Sequence, residues 1–345
     1  MTARAFITGL AGLSIAPEER AFLRRERPWG LILFKRNIDT PKQVSDLIGD
    51  FRSIAGGDAP VLIDQEGGRV QRLGPPLWPA YPPGAVYGDA YDRDPEAGLA
   101  AAKLGARLIA KDLQELGIDV DCLPLADVPA PGADSVIGDR AYGTTPDKVA
   151  ALAGAVAEGL MEGGVLPVLK HIPGHGRANA DSHKALPIVQ ADRKTLEATD
   201  FAAFRPLAHF PMAMTAHVVF TAYDPALPAT TSRTMIDRVI RGFIGFDGLL
   251  MSDDVSMQAL SGSLGERTAA ALAAGCDVVL HCNGRLDEMR EVAANAPPLA
   301  GKAADRAAAA LAARRPPNPL DSEKTRTVLS TILQSREPTR GSPNS

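Results

Sequence analysis

Eight short apolar runs, each followed by a segment of helical spacing, constrain the fold of this chain more than any other feature. They are AFITGL (5–10), GLILFK (30–35), PVLIDQE (60–66), DVDCLPLADV (119–128), VLPVLKH (165–171), FPMAMTAHVV (210–219), GLLMSDDV (248–255) and CDVVLHCN (276–283). Runs of this length, bounded by Gly, Pro and polar residues, read as strands buried on both faces. The segments between them carry helix signals, such as Pro41 opening PKQVSDLIGDFRSI and Thr145 capping a helix that runs to Gly163. TLEATDFAAFRPLAH, TMIDRVIRGFIG and ERTAAALAAG read as further helices, as do the segments after the last strand. Eight strands alternating with helices predict an α/β protein, a single (β/α)8 TIM barrel, rather than a doubly wound sheet. No break in composition divides residues 1–335, which are read as one catalytic domain. The polar, Pro- and Gly-rich REPTRGSPNS (336–345) is expected to be a disordered tail.

Charge and cysteine usage exclude several functions. Lys and Arg number 37 against 41 Asp and Glu, a net charge of -4, which argues against a protein that neutralises nucleic-acid phosphates. The 3 cysteines have no C-x-x-C spacing, so neither a disulfide framework nor a zinc site is indicated. AFITGLAGLSIA after Arg4 imitates a signal peptide, but Gly9 and Gly12 interrupt it and it reads as the first strand. No apolar run approaches the roughly 20 residues that span a bilayer. A soluble, monomeric protein of the cytoplasm, with no membrane or nucleic-acid partner and no cofactor, is expected.

In such a barrel, chemistry gathers where strands end. Here the third run ends in Asp64, Gln65 and Glu66, followed by Arg69 and Arg72. Asp127 closes the fourth, with Asp139 and Arg140 on the loop beyond. Lys170 and His171 close the fifth, His217 lies near the end of the sixth, and Asp253 and Asp254 close the seventh. Adjacent acids at a strand end point in different directions, so one can face the barrel axis while the other holds loop backbone. The fifth run opens into KHIPGHGRANADSH (170–183), which carries His171, His175 and His183. Within it, Asp181 two residues before His183 can orient an imidazole, or simply make a local turn bond. Arg177 to Ser182 has no apolar residue larger than Ala, so this stretch is expected to bury little and to open easily. The phosphate-cradling patterns G-x-x-x-x-G-K-[ST] and G-x-G-x-x-G are absent from this loop.

Taken together, KHIPGHG with the later DSH, DQEGGRVQR (64–72), GDRAYG (138–143) and MSDDVSM (251–257) resemble glycoside hydrolase family 3. They look like its bacterial β-N-acetylglucosaminidase branch, the β-N-acetylhexosaminidases of peptidoglycan recycling. The resemblance runs over residues 5–290; Ile172 and Met251 stand where that family more often has aromatic residues. It implies a TIM barrel without the sandwich domain of larger members, acting on a GlcNAc-containing carbohydrate such as a muropeptide. It also implies that Asp253 is the nucleophile and that His183, paired with Asp181, is the general acid and base. Asp64, Arg72, Arg140, Lys170 and His171 would hold N-acetylglucosamine in the first subsite. An imidazole would then replace the second carboxyl group of an ordinary retaining glycosidase. Two other readings stay open from the residues themselves. One is a metal-dependent barrel hydrolase with His171, His175, His183 and Asp253 as ligands, and the other a sugar-binding barrel without catalysis.

Overall fold

The alternation closes into a ring. The computed structural model describes residues 2–182 and 185–335. Its strands are β1 (Arg4–Thr8), β2 (Pro28–Leu33), β3 (Val61–Ile63), β4 (Val120–Asp121), β5 (Leu166–Ile172), β6 (Met212–Thr215), β7 (Leu249–Asp254) and β8 (Val278–His281). Each pairs in parallel with its sequence neighbours, and β1 pairs with β8 (Phe6 opposite Val279), closing an eight-stranded barrel. The expected TIM barrel is the fold observed.

Side-chain alternation along these strands divides the apolar residues into two layers. Ile7, Ile32, Leu62, Val168, Met214, Leu249 and Val278 point inward and fill the barrel. Phe6, Leu31, Leu33, Val61, Leu169 and Leu250 point outward and pack under the helices. Each such side chain, removed from water, contributes about 1.5–3 kcal/mol. The end where the strands begin is covered by the helix Gly301–Ala312, whose Ala307 and Ala310 join Leu299 in the inner layer. Ion pairs ring that end: Asp119 takes Arg52 and Arg314, and Asp277 takes Arg241 at 2.9 Å and Arg306 at 3.2 Å. The opposite end, where the strands finish, is left for the loops.

Several elements depart from the expected pattern. Of DVDCLPLADV only Val120–Asp121 forms the ladder, because Pro124 has no N–H to donate; Leu125 meets Lys170 through a single bridge. TLEATDFAAFRPLAH is two pieces, Arg193–Ala198 and the 3-10 turn Ala202–Leu207, since Thr199 and Asp200 turn inward to bind Arg177. Thr145 holds the cap position of the helix Pro146–Glu162, but its side chain makes no cap bond. Met235–Ile244 is wound as a π-helix. None of the helices among the described residues is long and apolar enough to cross a membrane. The 336–345 tail lies outside the described residues.

Candidate active site

Beyond β3, the chain turns back on itself instead of leaving for a helix. Asp64 is followed by a small antiparallel hairpin, Gln65–Gly67 with Val70–Gln71, that folds over the barrel mouth. Gly67 makes the approach possible: at φ 95° it lies where a Cβ would come within 2.3 Å of the Pro82 carbonyl oxygen. The hairpin carries Glu66 to the end of β5. There the Lys170 ammonium lies 2.6 Å from Glu66 Oε1 and 3.0 Å from Asp64 Oδ1. Arg140 grips Glu66 with two 2.8 Å bonds, one to each oxygen, and Arg72 donates to Asp64 Oδ2 at 2.8 Å. Three cations thus meet two carboxylates, and Lys170 is 2% exposed.

Burial alone would push protons onto both acids. Instead Lys170 and Arg72 hold the Asp64 carboxyl far below its ordinary range, and Lys170 and Arg140 lower that of Glu66. Burial would likewise favour a neutral Lys170, but Asp64 and Glu66 outweigh it and raise the ammonium pKa. The site is therefore a fixed set of charges at neutral pH, held by charge-assisted hydrogen bonds. Below it, burial raises the Asp121 carboxyl well above the usual value.

A second cluster organises the loop after β5. Asp127 is fully buried and accepts three bonds: from His171 Nδ1 at 2.8 Å, from the His171 backbone N–H at 3.2 Å and from the His175 backbone N–H at 2.6 Å. Burial works against its ionisation, yet His171 and His175 hold its carboxyl down to about 2. With Nδ1–H committed to Asp127, His171 has its ring orientation set, as a carboxylate sets an imidazole elsewhere. His175 packs edge-on to His171 and reaches Ser182 Oγ at 3.1 Å. Burial, reinforced by His171, brings the His175 pKa down to about 4, so it is neutral at pH 7.

The stretch expected to bury little is in fact anchored. Ala178 and Ser182 are buried, Arg177 binds Asp200 at 2.9 Å and Thr199 at 3.0 Å, and the Ala130 N–H donates to the Gly176 carbonyl. Gly176 is required there, since a Cβ would lie 2.2 Å from the Val128 carbonyl oxygen. Small residues here allow close backbone approach, which the polar composition concealed.

At the end of β7 the adjacent acids take different partners. Asp254 is spent on backbone and loop: it accepts from the Ser256 N–H and hydroxyl and from the Cys282 N–H. Both acids line the central cavity, and Asp253 Oδ1 accepts from the Asp254 backbone N–H at 2.8 Å. Behind it His217 is buried between Thr230 Oγ1 (2.7 Å) and the Asp254 carbonyl (3.0 Å), a packing and orienting histidine. The cavity of about 320 Å³ brings together Asp64, Arg72, Arg140, Lys170, His171, Asp181 and Asp253. His183 lies outside the described residues. Met214, Met257, Phe34 and Leu280 are among the apolar residues of the wall. Among the described residues no group of three or more His, Cys, Asp or Glu is arranged to hold a metal ion. The ring nitrogens of His171 and His175 that make bonds go to Asp127 and Ser182, not toward a common centre.

Residues 7–310 match the model of the glycosyl hydrolase family 3 N-terminal domain. The chain belongs to glycoside hydrolase family 3. As a family member it is a glycoside hydrolase, as the resemblance implied. A β-hexosaminidase of Alkalilimnicola ehrlichii is 40% identical over 279 residues, covering 80% of this chain and 79% of the relative. That of Chromobacterium violaceum is 37% identical over 301 residues, covering 86% and 84%. Among solved structures, NagZ from Neisseria gonorrhoeae in complex with N-trifluoroacetyl-D-glucosamine superposes with a TM-score of 0.85 at 30% identity, covering 96% of this chain and 98% of that one. A family 3 β-N-acetylglucosaminidase from Paenibacillus superposes at 0.81 with 30% identity; the fold covers 95% of this chain but 66% of that longer one.

This family 3 site contains residues that sequence reasoning did not assign. Glu66 was visible as one of the acids after β3, but nothing local indicated that it shares Lys170 with Asp64. Asp127 stood at a strand end like the others, yet its role is to hold His171 and the loop rather than to line the cavity. Its burial among three donors could be learned only from the folded chain.

Proposed function

We propose that this glycoside hydrolase cleaves terminal, non-reducing N-acetylglucosamine from β-linked glycans with retention, through a covalent glycosyl-enzyme. The enzyme is a β-N-acetylhexosaminidase. The observation that carries the mechanism is Asp253 facing a single-sugar cavity whose other walls are polar and already charged. A cavity of about 320 Å³ suits one pyranose, and fixed charges give hydroxyls donors and acceptors without reorganisation. Asp64, Arg72, Arg140, Lys170 and His171 bind the ring. Asp253 attacks the anomeric carbon while His183, oriented by Asp181, protonates the leaving oxygen. His183 then removes a proton from the water that releases the sugar. Asp181 and Ser182, which precede His183 in the chain, both line the cavity, in support of this division. The natural substrates are GlcNAc–anhydroMurNAc fragments of the cell wall, the site is cytoplasmic, and the enzyme acts as a monomer without cofactor.

The reading is tested by release of 4-nitrophenol from the β-N-acetylglucosaminide and from the β-glucoside. Much faster hydrolysis of the former is expected, unaffected by a chelator. Equal rates would remove the hexosamine assignment, and loss of activity with the chelator would favour the metal-dependent reading.

A further inference from the structure

Two loops meet at an ion pair outside the lining of the sugar cavity. Arg177, on the loop after β5, donates from Nε and Nη2 to Asp200 Oδ2 at 3.0 and 2.9 Å, and from Nη2 to Thr199 Oγ1 at 3.0 Å. Asp200 is 1% exposed, and its Oδ1 has no hydrogen-bond partner among the described residues, so its hold on the loop runs through one oxygen and one guanidinium. We propose that Arg177 is a positioning residue for proton transfer: fixed by Asp200, it sets the place of the Asp181–Ser182 segment that leads into the general acid and base. The inference rests on the glycosidase reading above and adds a residue that touches neither sugar nor nucleophile.

Three observations support it. First, Asp200 meets the loop at two points. Besides binding Arg177 it packs on Gly174, where at φ 141° a Cβ would lie 3.2 Å from the Asp200 Cβ. The start of the loop is therefore seated on a carboxylate that is costly to bury unless its cation stays in place. Second, the segment from Arg177 to Ser182 is fastened along its length. The Asp134 N–H donates to the Ala178 carbonyl at 2.9 Å, the Ile188 N–H to Asn179 Oδ1 at 3.1 Å and the Ala259 N–H to the Ser182 carbonyl at 3.2 Å. Each of these bonds is neutral, whereas Arg177 to Asp200 is charge-assisted and largely removed from water, so it is the strongest single tie.

Third, the ion pair and the chemistry are joined through this segment. Asp181 and Ser182 line the sugar cavity, while Arg177, Thr199 and Asp200 do not. Arg177 can therefore influence proton transfer by placing that segment, and it has no contact through which to hold the sugar itself. A proton donor must sit within hydrogen-bonding reach of the leaving oxygen, and a displacement of about 1 Å is enough to slow such a step. A loop held in this way arrives at the sugar already in place, instead of being ordered by it.

The test measures kcat/KM on 4-nitrophenyl, 4-chlorophenyl and phenyl β-N-acetylglucosaminides, whose leaving groups need increasing help from an acid. Arg177→Ala is expected to lower the value for the phenyl substrate by about tenfold and that for the 4-nitrophenyl substrate by less than about twofold. Arg177→Lys should restore part of the loss, since an ammonium can still meet Asp200 but lacks the fork that also reaches Thr199. Because Arg177→Ala leaves a buried carboxylate without its cation, the same series is run on Arg177→Ala combined with Asp200→Asn, which removes the charge as well and should show the same dependence on leaving group. Equal losses for all three substrates in the single and double variants, or no loss at all, would overturn the positioning role, because a purely structural effect lowers every rate in proportion. Failure of the unmodified enzyme to cleave even the 4-nitrophenyl substrate would overturn the glycosidase reading itself, and this inference with it.

Discussion

The Lys170 ammonium lies 2.6 Å from Glu66 Oε1, and Arg140 closes the far side of the same carboxylate with two bonds of 2.8 Å. Glu66 therefore acts as a strut between two cations of the cavity wall, and Asp64 shares one of them. Lys170→Ala would leave two buried carboxylates short of a charge, at a cost of about 3–5 kcal/mol in unfolding free energy. It should also raise KM and lower kcat, because bonds to the ring tighten as the sugar distorts. Adding Glu66→Gln should recover part of the stability and none of the activity. A stability loss below about 1 kcal/mol in denaturant titration would mean that the network is looser than its distances imply.

Asp253 and Asp254 both line the cavity but differ in partners, since Asp254 is bound by Ser256 and the Cys282 backbone. Asp253→Ala should abolish turnover with little change in melting temperature, as no apolar area is lost. A 5-fluoro glycosyl trap should label Asp253 in the unmodified enzyme. Mass spectrometry that placed the label on Asp254 would reverse the assignment.

Asp127 links stability to acid. Its folded carboxyl titrates at about 2 against an ordinary 3.8, so as pH falls the unfolded chain takes up the proton first. The stabilisation, about 2 kcal/mol, is complete above pH 4 and disappears as pH falls through about 2. Asp64 and Glu66, also lowered, act in the same direction. Asp127→Asn should flatten the acid limb of the stability profile and reduce kcat by freeing His171. An unchanged acid limb would show that other carboxylates control it.

His183 is predicted to matter most for poor leaving groups. A 4-nitrophenyl leaving group needs little protonation, so its glycosylation step should survive His183→Ala comparatively well. Release of the sugar from Asp253 would still lack a base, and the intermediate should accumulate as a burst. Asp181→Asn should give a milder form of the same behaviour. Equal slowing of glycosylation across leaving groups of widely different acidity would exclude His183 as the acid.

Much of this protein was legible from periodicity and position. Eight apolar runs determined the barrel, because a strand covered by helices must be apolar on both faces and that is a local property. The polar residues at the ends of those runs located the mouth, while alternation said only that Asp253 and Asp254 point in different directions, not which of them carries chemistry. The division of TLEATDFAAFRPLAH was not legible, since it depends on Asp200 bonding to Arg177 of a different loop. The anchoring of 177–182 was concealed for the same reason: Gly176 and Ala178 bury by letting backbones approach, and hydrophobicity does not record that.

What the sequence by itself determined is the repeating unit, the end of the barrel where chemistry sits and the residue types available there. What only the tertiary structure decided is the pairing: that Lys170 joins Asp64 to Glu66, that Asp127 serves His171, and that Arg177 binds Asp200. Helices and strands follow from contacts a few residues apart, whereas these partners meet only because the barrel closes β1 on β8 and brings the ends of distant strands within hydrogen-bonding reach.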